Sequence, residues 1–496
     1  MKANEAATRL GDLLIRAKRV TETDVARALE RGRQYGGRLG DNLVAIGAID
    51  RDTLESLLHR IPAEPTTIAA TGIDEKELTG LLVKLIYTRH LTTLRQCIEA
   101  IKLPYQIVSE LVRLAIDGHK LHALGMRSLN DSLDFAYSLT EEGRRWANED
   151  MDRLHYAGPA PVPIEQFNEQ INLQKLTNEI ISIDRIRATV ADLEIDEEMI
   201  EQIGPALNSG RAILLYGPPG NGKTSLALRF VSVFKDVIYV PFAVEVEGQI
   251  IRVFDPSVHI EVKRTSGDEE GDSSFVRQDI YDARWIPCFR PIIVTGGEMS
   301  MEMLDLRYET TSHTYEAPLH MKALGGCFLI DDFGRQLISP ATLLNRWIVP
   351  LESRVDYLKL NTGKSFRIPF EEIVIFSTNL EPEELMDPAF LRRLPYKIEV
   401  GPPDAVRFRR IFEAACEREG VAFSDEVFCA IARKINYEKM LEFAAFHPKF
   451  IVDQVVATCR FMGQAPHFEP RFIDYAVNNL KVLARKDPTI RQTTSK

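Results

Sequence analysis

The sequence has no cysteine framework. Only six of its 496 residues are cysteine, and no two of them form a CxxC pair. Neither a disulfide-stabilised fold nor a zinc ribbon is therefore indicated. There is also no run of 18 apolar residues, which argues against a membrane-spanning helix, and the first residues lack the apolar stretch of a signal peptide. We expect a protein of the reducing cytoplasm that does not insert into a membrane.

An excess of positive charge is missing as well. The chain carries 61 Lys+Arg against 72 Asp+Glu, a formal net charge of -11. Because a nucleic-acid-binding surface neutralises phosphates with lysine and arginine, this balance argues against nucleic acid as a partner. Hydrophobic residues make up 45% and charged residues 27%, which is ordinary for a soluble globular protein. The length predicts about three domains.

The front of the chain contains one pattern twice. RLGDLLIRAKRVTETDVARALERG begins at Arg9, and RLGDNLVAIGAIDRDTLESLLHRI begins at Arg38. The apolar positions of the two copies correspond throughout, so that Leu14 matches Leu43. Each copy predicts a short helix, a turn and a second helix. Two such units are expected to bury one small core between them, in a domain over residues 1–62.

This repeat resembles the N-terminal domain of type II secretion and type IV pilus assembly ATPases, some of which bind cyclic di-GMP. The resemblance implies that this ligand would contact Arg9, Gly11, Arg38, Gly40 and Gly47. The chain departs from the binding form at Lys18, where a glycine is expected, and at Gly32 and Ile61, where glutamine is expected. Two interpretations stay open: a weak cyclic di-GMP site dominated by the second copy, or a scaffold that does not bind the nucleotide.

A polar, proline-bearing stretch over 62–72 is interpreted as a linker. Residues 73–156 then predict three helices, a two-stranded wing and a fourth helix, and they resemble a winged helix-turn-helix. The third helix offers only Arg113 as a cation, and the region holds 11 Lys+Arg against 13 Asp+Glu. Contact with a protein is therefore favoured over contact with DNA. A second linker is expected over 157–167.

A phosphate-binding loop follows the apolar stretch 211–216. The loop reads GPPGNGKT, which matches GxxxxGK[ST], and a helix is predicted after it. Glycines let the backbone approach closely, so that N–H groups and the helix N-terminus surround phosphates. The candidate ATP-binding residues are Gly217, Pro218, Pro219, Gly220, Asn221, Gly222, Lys223, Thr224 and Ser225. Lys223 is expected to reach the β- and γ-phosphates, and the Thr224 hydroxyl is expected to bind Mg²⁺.

Two carboxylates end a second apolar strand, 327–330. A carboxylate at the end of a buried strand is costly unless it serves a cation, so Asp331 is the candidate Mg²⁺ ligand. Asp332 follows directly, and 374–379 is a further apolar strand, which ends in Asn379. A helix with two arginines, Arg392 and Arg393, comes next.

Taken together, residues 180–485 resemble an AAA+ ATPase. The resemblance implies an α/β nucleotide-binding domain over 180–400 and a helical lid domain over 401–485. It also implies that Asp332, in place of the usual glutamate, polarises the attacking water and that Asn379 orients it. Arg392 or Arg393 would act as an arginine finger in the neighbouring subunit's site, and Lys449 would be the lid cation known as sensor 2.

The segment 355–368 alternates around an Asn-Thr-Gly-Lys turn at 361–364, which predicts a β-hairpin. Its position resembles the hairpin before sensor 1 in MoxR-like and magnesium-chelatase-like AAA+ proteins, where it often faces the ring pore. A long insertion over 245–320 is not assigned to a structure. Within it, 296–306 is interpreted as a packing segment rather than a moving contact helix.

The expected fold class is therefore multidomain, with a helical tandem repeat, a winged helix, an α/β AAA+ P-loop core and a helical lid. The leading hypothesis is an ATP hydrolase, requiring ATP and Mg²⁺, that assembles with itself as a hexameric ring and remodels a protein client. Regulation by cyclic di-GMP belongs to the same hypothesis. The alternatives are a DNA-associated ATPase anchored by the winged helix and a slow, nucleotide-gated signalling scaffold.

Overall fold

The structure is a computed structural model that describes residues 14–15, 20–35, 39–51, 54, 60–126, 135–262, 281–385, 388–438 and 441–484. Within these ranges, no helix has the length and apolar character needed to cross a membrane. The described strands are β1 (Leu121–Met126), β2 (Phe135–Leu139), β3 (Val162–Pro163), β4 (Ile213–Tyr216), β5 (Val237–Pro241), β6 (Ala243–Val246), β7 (Gln249–Arg252), β8 (Trp285–Phe289), β9 (Ile292–Thr295), β10 (Arg307–Glu309), β11 (Thr314–Glu316), β12 (Cys327–Ile330), β13 (Val355–Lys359), β14 (Ser365–Pro369), β15 (Ile373–Ser377) and β16 (Tyr396–Glu399).

The described α-helices are Glu22–Tyr35, Leu39–Ala45, Glu75–Arg89, Leu94–Ile101, Tyr105–Asp117, Glu141–Arg153, Ile164–Leu173, Ile183–Thr189, Glu197–Ser209, Lys223–Val231, Leu319–Lys322, Pro340–Arg346, Ile348–Ser353, Pro382–Leu385, Pro388–Leu391, Ala405–Glu419, Asp425–Arg433, Phe446–Phe461 and Pro470–Ala484. Shorter helical turns are Ala69–Thr71, Leu176–Asn178, Met301–Leu304 and the π-turn Lys434–Glu438.

The front repeat buries one cluster made from corresponding positions of its two copies. The cluster contains Leu14, Val20, Val25, Ala28, Leu39, Leu43, Ile49 and Leu54. Thr21 caps the helix Glu22–Tyr35, because its Oγ1 accepts from the N–H of Asp24 at 3.2 Å while the Asp24 carboxylate accepts from the N–H of Thr21 at 3.0 Å. The repeat spacing and the buried cluster therefore agree. Arg9, Gly11 and Arg38 lie outside the described residues.

The next region has three helices, a hairpin and a fourth helix. Strands β1 and β2 pair antiparallel between the helices Tyr105–Asp117 and Glu141–Arg153. Thr93 and Gln96 form a capping box at the start of Leu94–Ile101, which fixes where that helix begins. The exposed Arg113 lies 3.8 Å from a Glu110 oxygen and 4.0 Å from an Asp117 oxygen.

A five-stranded parallel sheet forms the centre of the region over 180–400, which the sequence predicts to bind a nucleotide. Its strand order is β16-β4-β15-β12-β9. Alternate side chains of β4 pack into two hydrophobic clusters, one on each face of the sheet. Ile213 and Leu215 lie in one cluster, and Leu214 lies in the other. Strands β12 and β15 are buried along their whole length, as expected where helices cover both faces of a parallel sheet. This sheet is compatible with a P-loop core.

The insertion 245–320 contributes to a second sheet that was not anticipated. Its order is β10-β11-β7-β6-β3, with β11–β7 and β6–β3 parallel and the other pairs antiparallel. Strands β5 and β8 form a separate antiparallel pair beside it. Within 296–306, Met299 and Leu304 are fully buried, which is the packing role expected for that segment.

Two segments interpreted as linkers are packed into the body of the protein. In 62–72, Thr71 is fully buried and ends a 3-10 turn. In 157–167, Ala160 and Val162 are fully buried, and the chain forms β3 and begins a helix. Their proline and polar residues gave a linker composition, but main-chain hydrogen bonds to neighbouring segments satisfy the backbone there.

One buried arginine joins both of these segments to the second sheet region. Arg284 is only 1% exposed, and its guanidinium pairs with Asp282 at 2.7 Å. It also donates to the carbonyl oxygens of Thr71 at 2.9 Å and Pro161 at 3.1 Å, and to the Gln166 side chain at 3.3 Å. We call this arrangement the Arg284 clamp. A buried ion pair is tolerated when its remaining donors are satisfied in this way.

Four helices follow β16 in the segment predicted to be a lid, which we call the lid region: Ala405–Glu419, Asp425–Arg433, Phe446–Phe461 and Pro470–Ala484. They bury a cluster centred on Phe408, Phe412, Ile451 and Val455. Earlier in the chain, the helices Pro340–Arg346 and Ile348–Ser353 meet at the fully buried Trp347.

Candidate nucleotide site

The phosphate-binding loop leaves the carboxyl end of β4. Gly217, Gly220 and Gly222 have φ of +129°, +82° and +80°, the region that favours glycine. A Cβ at Gly217 would lie 2.6 Å from the carbonyl oxygen of Val400, and one at Gly220 would lie 2.4 Å from a ring carbon of Phe446. The loop therefore needs these glycines, and it leads directly into the N-terminus of helix Lys223–Val231.

Lys223 lies at the centre of the loop. Its Nζ donates to the carbonyl oxygens of Gly217 at 2.8 Å and Pro218 at 3.0 Å, and to Asn379 Oδ1 at 2.7 Å. The residue is 6% exposed. Burial lowers the pKa of the ammonium, while the nearby carboxylates of Asp332 and Asp331 act to raise it. The geometry thus holds one cation beside the loop and the two acids.

The two acids and Asn379 meet at the same edge of the central sheet. Thr224 Oγ1 lies 2.9 and 2.8 Å from the two carboxylate oxygens of Asp331. Asn379 Nδ2 donates to Asp332 Oδ1 at 3.1 Å. Asp332 is exposed and has φ of +49°, an uncommon conformation for a residue with a side chain. Asn379 therefore connects Lys223 to Asp332.

The strand order accounts for this meeting. β15 lies between β4 and β12, so the residues that follow these three strands share one edge. In open parallel sheets, ligands bind in the crevice outside the carboxyl ends of the strands. The edge is fixed by main-chain bonds: Thr378 N–H donates to Leu215 at 2.9 Å, and Phe333 N–H donates to Ser377 at 2.7 Å.

The groups at this edge fit a magnesium nucleotide. At Gly222 the loop faces open space, because no atom lies within 4 Å of the position of a Cβ, and the helix N-terminus that follows favours anions. The Lys223 ammonium supplies a positive charge. The Thr224 hydroxyl and the Asp331 carboxylate are oxygen ligands of the kind that Mg²⁺ prefers. Pro219 and Ser225, the other predicted loop residues, are exposed at the loop and at the first turn of its helix.

The lid contacts the phosphate-binding loop through residues that the sequence did not single out. The N–H of Phe446 donates to the Gly220 carbonyl at 3.0 Å, and the N–H of Ala445 donates to Asn221 Oδ1 at 3.1 Å. Lys449 is 67% exposed, with Nζ 3.7 Å from Asp453. Residues three apart share a helix face, so Lys449 lies on the face that Phe446 presents to the loop.

His447 lies beside this contact. It is buried, its Nδ1 accepts from the N–H of Ala444 at 3.2 Å, and burial lowers its pKa to about 4. The first turn of the lid helix is therefore held by a neutral imidazole. The aromatic residue in front of His447-Pro448 was the signal available in the sequence for this contact.

Arg392 and Arg393 lie at the opposite end of the sheet, just before β16. Arg393 Nε is 2.5 Å from a Glu352 oxygen, and its guanidinium lies 5.4 Å from the centre of the Phe390 ring. Arg392 is exposed, and its side chain makes no hydrogen bond or ion pair with any residue in the described ranges. Both arginines line a cavity of about 660 Å³ together with Arg211.

The predicted hairpin is present as β13 and β14, which pair antiparallel. Leu358, Leu360 and Ile368 belong to the core of the second sheet region. At the turn, Lys364 pairs with Glu247 at 2.5 Å, and the N–H of Asn361 donates to a tyrosine hydroxyl of β11 at 2.9 Å. The tip is thus exposed but tethered to the β6–β7 turn.

Comparison with known proteins gives a partial family match and weak structural similarity to solved proteins. Residues 404–479, in the lid region, match a family described as a domain of unknown function (DUF8689). The fold is similar to that of NtrX from Brucella abortus, at 11% identity and a TM-score of 0.34. That match covers 64% of this chain and 59% of the NtrX chain, less than two thirds of its length. No curated protein matches the sequence. A likeness of this size defines no shared activity.

Proposed function

We propose that this chain is an AAA+ ATPase that binds Mg-ATP between the phosphate-binding loop and the lid and hydrolyses it. The observation that carries the proposal is the hydrogen-bonded set of Lys223, Asn379 and Asp332 beside Thr224 and Asp331. A chance glycine loop would not bring a cation, a hydroxyl, two carboxylates and an amide to one edge of a parallel sheet.

Each residue has a part that follows from its contacts. The glycine loop and Lys223 would bind the phosphates of the substrate, and Thr224 and Asp331 would hold Mg²⁺. Bound Mg²⁺ supplies positive charge that stabilises the charge developing on the transferred phosphoryl group. Asp332 is the general base that orients the attacking water and accepts its proton. The Asn379 amide fixes the Asp332 carboxylate and bonds Lys223 at the same time.

Self-assembly is part of the proposal, because the arginine pair is far from its own loop. Tyr396 pairs with Ile213 at the start of β16, whereas the phosphate-binding loop follows the other end of β4. A strand of four residues extends about 13 Å, and the arginines precede β16 at the end away from the loop. Arg392 is therefore assigned as a finger for a neighbouring copy's site, in a ring that we expect to be hexameric.

The expected partner is a protein client that the ring remodels. Arg113 is the single cation of the third helix in the region that resembles a winged helix. It lies within 4.0 Å of the carboxylates of Glu110 and Asp117. With its charge offset locally, that helix has little to offer a DNA phosphate backbone. DNA binding is for this reason not proposed, and salt-sensitive binding of a duplex would contradict this choice.

Cyclic di-GMP remains a proposed regulator through the front repeat. Gly40 lies in the buried part of helix Leu39–Ala45, and Gly47 has φ of +71°. The fold itself therefore accounts for a glycine at these two positions. For this reason, we propose only weak binding of cyclic di-GMP. Calorimetry with the full chain should give weak binding that Arg38→Ala reduces. Tight binding that Arg38→Ala leaves unchanged would contradict the proposal.

The central test is nucleotide binding and phosphate release by the wild-type chain and by Asp332→Asn. The wild type should bind Mg-ATP and release phosphate, and chelation of Mg²⁺ should stop the release. Asp332→Asn keeps the size of the side chain but removes the base, so it should bind Mg-ATP and turn over little of it. A wild-type chain that neither binds nor hydrolyses ATP would overturn the proposed function.

A further inference from the structure

The loop after β12 is folded around one side-chain amide. Gln336 Nε2 donates to the carbonyl oxygens of Asp331 at 2.8 Å and Asp332 at 3.0 Å, and its Oε1 accepts from the N–H of Gly334 at 2.8 Å. A single side chain therefore makes bonds that a regular turn would make through its backbone. No sequence motif assigned a role to this glutamine.

The backbone that Gln336 holds is in an unusual conformation. Asp332 has φ of +49° and Gly334 has φ of +107°. A Cβ at Gly334 would lie 2.9 Å from a methyl carbon of Leu385. A residue with a side chain stays in the left-handed region only when its surroundings fix it there. For Asp332, the fixing contacts are the bonds that its carbonyl accepts from Gln336 and from the N–H of Arg335, and the bond that its carboxylate accepts from Asn379.

Asp331 accepts a bond from Gln336 at its carbonyl oxygen, but it also has anchors that do not involve this loop. Its N–H donates to the Thr295 carbonyl at 2.8 Å, and its carboxylate contacts Thr224. Lys223 donates its hydrogen bonds to the phosphate-binding loop and to Asn379, and none of these bonds involves Gln336. Removing the Gln336 amide should therefore release Asp332 while leaving the cation and the metal-facing groups in place.

We propose that Gln336 is a positioning residue for the water-polarising acid, a role that rests on the proposed ATPase function. It holds the Asp332 main chain so that the carboxylate stays within 3.1 Å of Asn379. Without the amide, the loop relaxes towards ordinary φ and the base moves away from the position where it can accept a proton. The loss falls on turnover, because Lys223 and the Asp331 carboxylate keep their contacts with the phosphate-binding loop and Thr224.

The test compares Gln336→Glu and Gln336→Leu with the adjacent Leu337→Ala. Glutamate keeps the shape of the side chain but presents a carboxylate to the two carbonyl oxygens, and leucine removes every donor. Leu337 is 82% exposed, which makes its alanine variant a control for changes in the same loop. For both Gln336 variants we expect kcat to fall roughly 10- to 100-fold, the usual effect of losing an outer-shell partner. The Kd for Mg-ATP and the unfolding temperature should stay near the wild-type values.

Two results would overturn the proposal. One is wild-type kcat in both Gln336 variants. The other is a loss of nucleotide affinity that equals the loss of kcat, which would assign Gln336 a structural role alone. If the leucine variant does not fold, the isosteric glutamate variant decides the outcome. Failure of the proposed function is distinguishable, because there the wild-type chain itself would not hydrolyse ATP.

Discussion

The two ends of the central parallel sheet differ in how their charged groups are arranged. At the carboxyl end, Lys223, Asp331 and Asn379 are already bonded to partners within the same chain. At the amino end, Arg392 is exposed without a partner in the described part of the chain, and only Arg393 is held, by Glu352. Under the proposed function, the carboxyl end is a site that one chain completes alone, whereas Arg392 at the amino end acts on a neighbouring copy.

This difference between the two ends of the sheet predicts how variants of the protein should behave. Changes at the carboxyl end should act on the chain that carries them. Changes at Arg392 should act on a neighbour and should therefore be complemented by mixing. The four predictions that follow test this expectation, beginning with the largest expected effect.

Replacement of Lys223 should abolish nucleotide binding. Lys223→Ala removes the ammonium that touches both the loop and Asn379, and no other cation in the described residues has these contacts. Calorimetry with Mg-ATP should detect no binding. Lys359→Ala, an exposed lysine of β13, is the matched control and should bind normally. Normal binding by Lys223→Ala would show that the carboxyl end is not the nucleotide site.

Replacement of Arg392 should reduce hydrolysis more than replacement of Arg393. Arg392→Ala should bind Mg-ATP normally and lose about 10³- to 10⁵-fold in hydrolysis, equivalent to roughly 4–7 kcal/mol. Arg393→Ala should lose less, because its pairing with Glu352 gives it a local role. Mixing Arg392→Ala with Lys223→Ala should restore part of the activity, measured as phosphate release. No loss in either arginine variant would remove the main support for a ring.

The lid contact should have a smaller effect, on affinity. Phe446→Ala removes the ring that covers Gly220, a loss of about 1.4 kcal/mol for a partly buried aromatic, or about ten-fold in Kd. Phe461→Ala, at the other end of the same helix and 85% exposed, should leave Kd unchanged. Equal effects of the two substitutions would mean that the lid contact contributes nothing specific to the carboxyl end.

The hairpin, which leads into the amino end of β15, should show the smallest basal effect. Lys364→Ala breaks an exposed ion pair with Glu247, and such pairs are worth about 0–1 kcal/mol. Basal hydrolysis should stay near the wild-type rate, and any stimulation by a client should weaken. A large fall in the basal rate would assign the hairpin to the ATPase site itself.

The parts that were predictable from the sequence are those with a local pattern. A strand that ends in polar residues identified Asp331, Asp332 and Asn379, and glycine spacing identified the loop around Lys223. The parallel order of the strands then brought them together, because short apolar strands separated by helices have few alternatives. The hairpin and the repeated apolar positions of the front helices were local patterns too.

The parts that were not predictable depend on contacts between distant segments. β3 pairs with β6, and β11 pairs with β7, across many intervening residues, and no periodicity within 245–320 indicates these partners. Gln336 and Phe446 form hydrogen bonds with backbone groups, and these bonds depend on loop conformation rather than on residue type. Thr71 lies in a stretch with the composition of a linker, yet it is fully buried.

The Arg284 clamp has a mechanical consequence for the whole chain. Residues 73–156 are connected to the rest of the chain past Thr71 and past Pro161, and one guanidinium binds both passages. Both connections are therefore tied to the same side chain of the sheet region. Under the proposed ATPase function, a rotation of this sheet region would be passed to residues 73–156 through that one attachment.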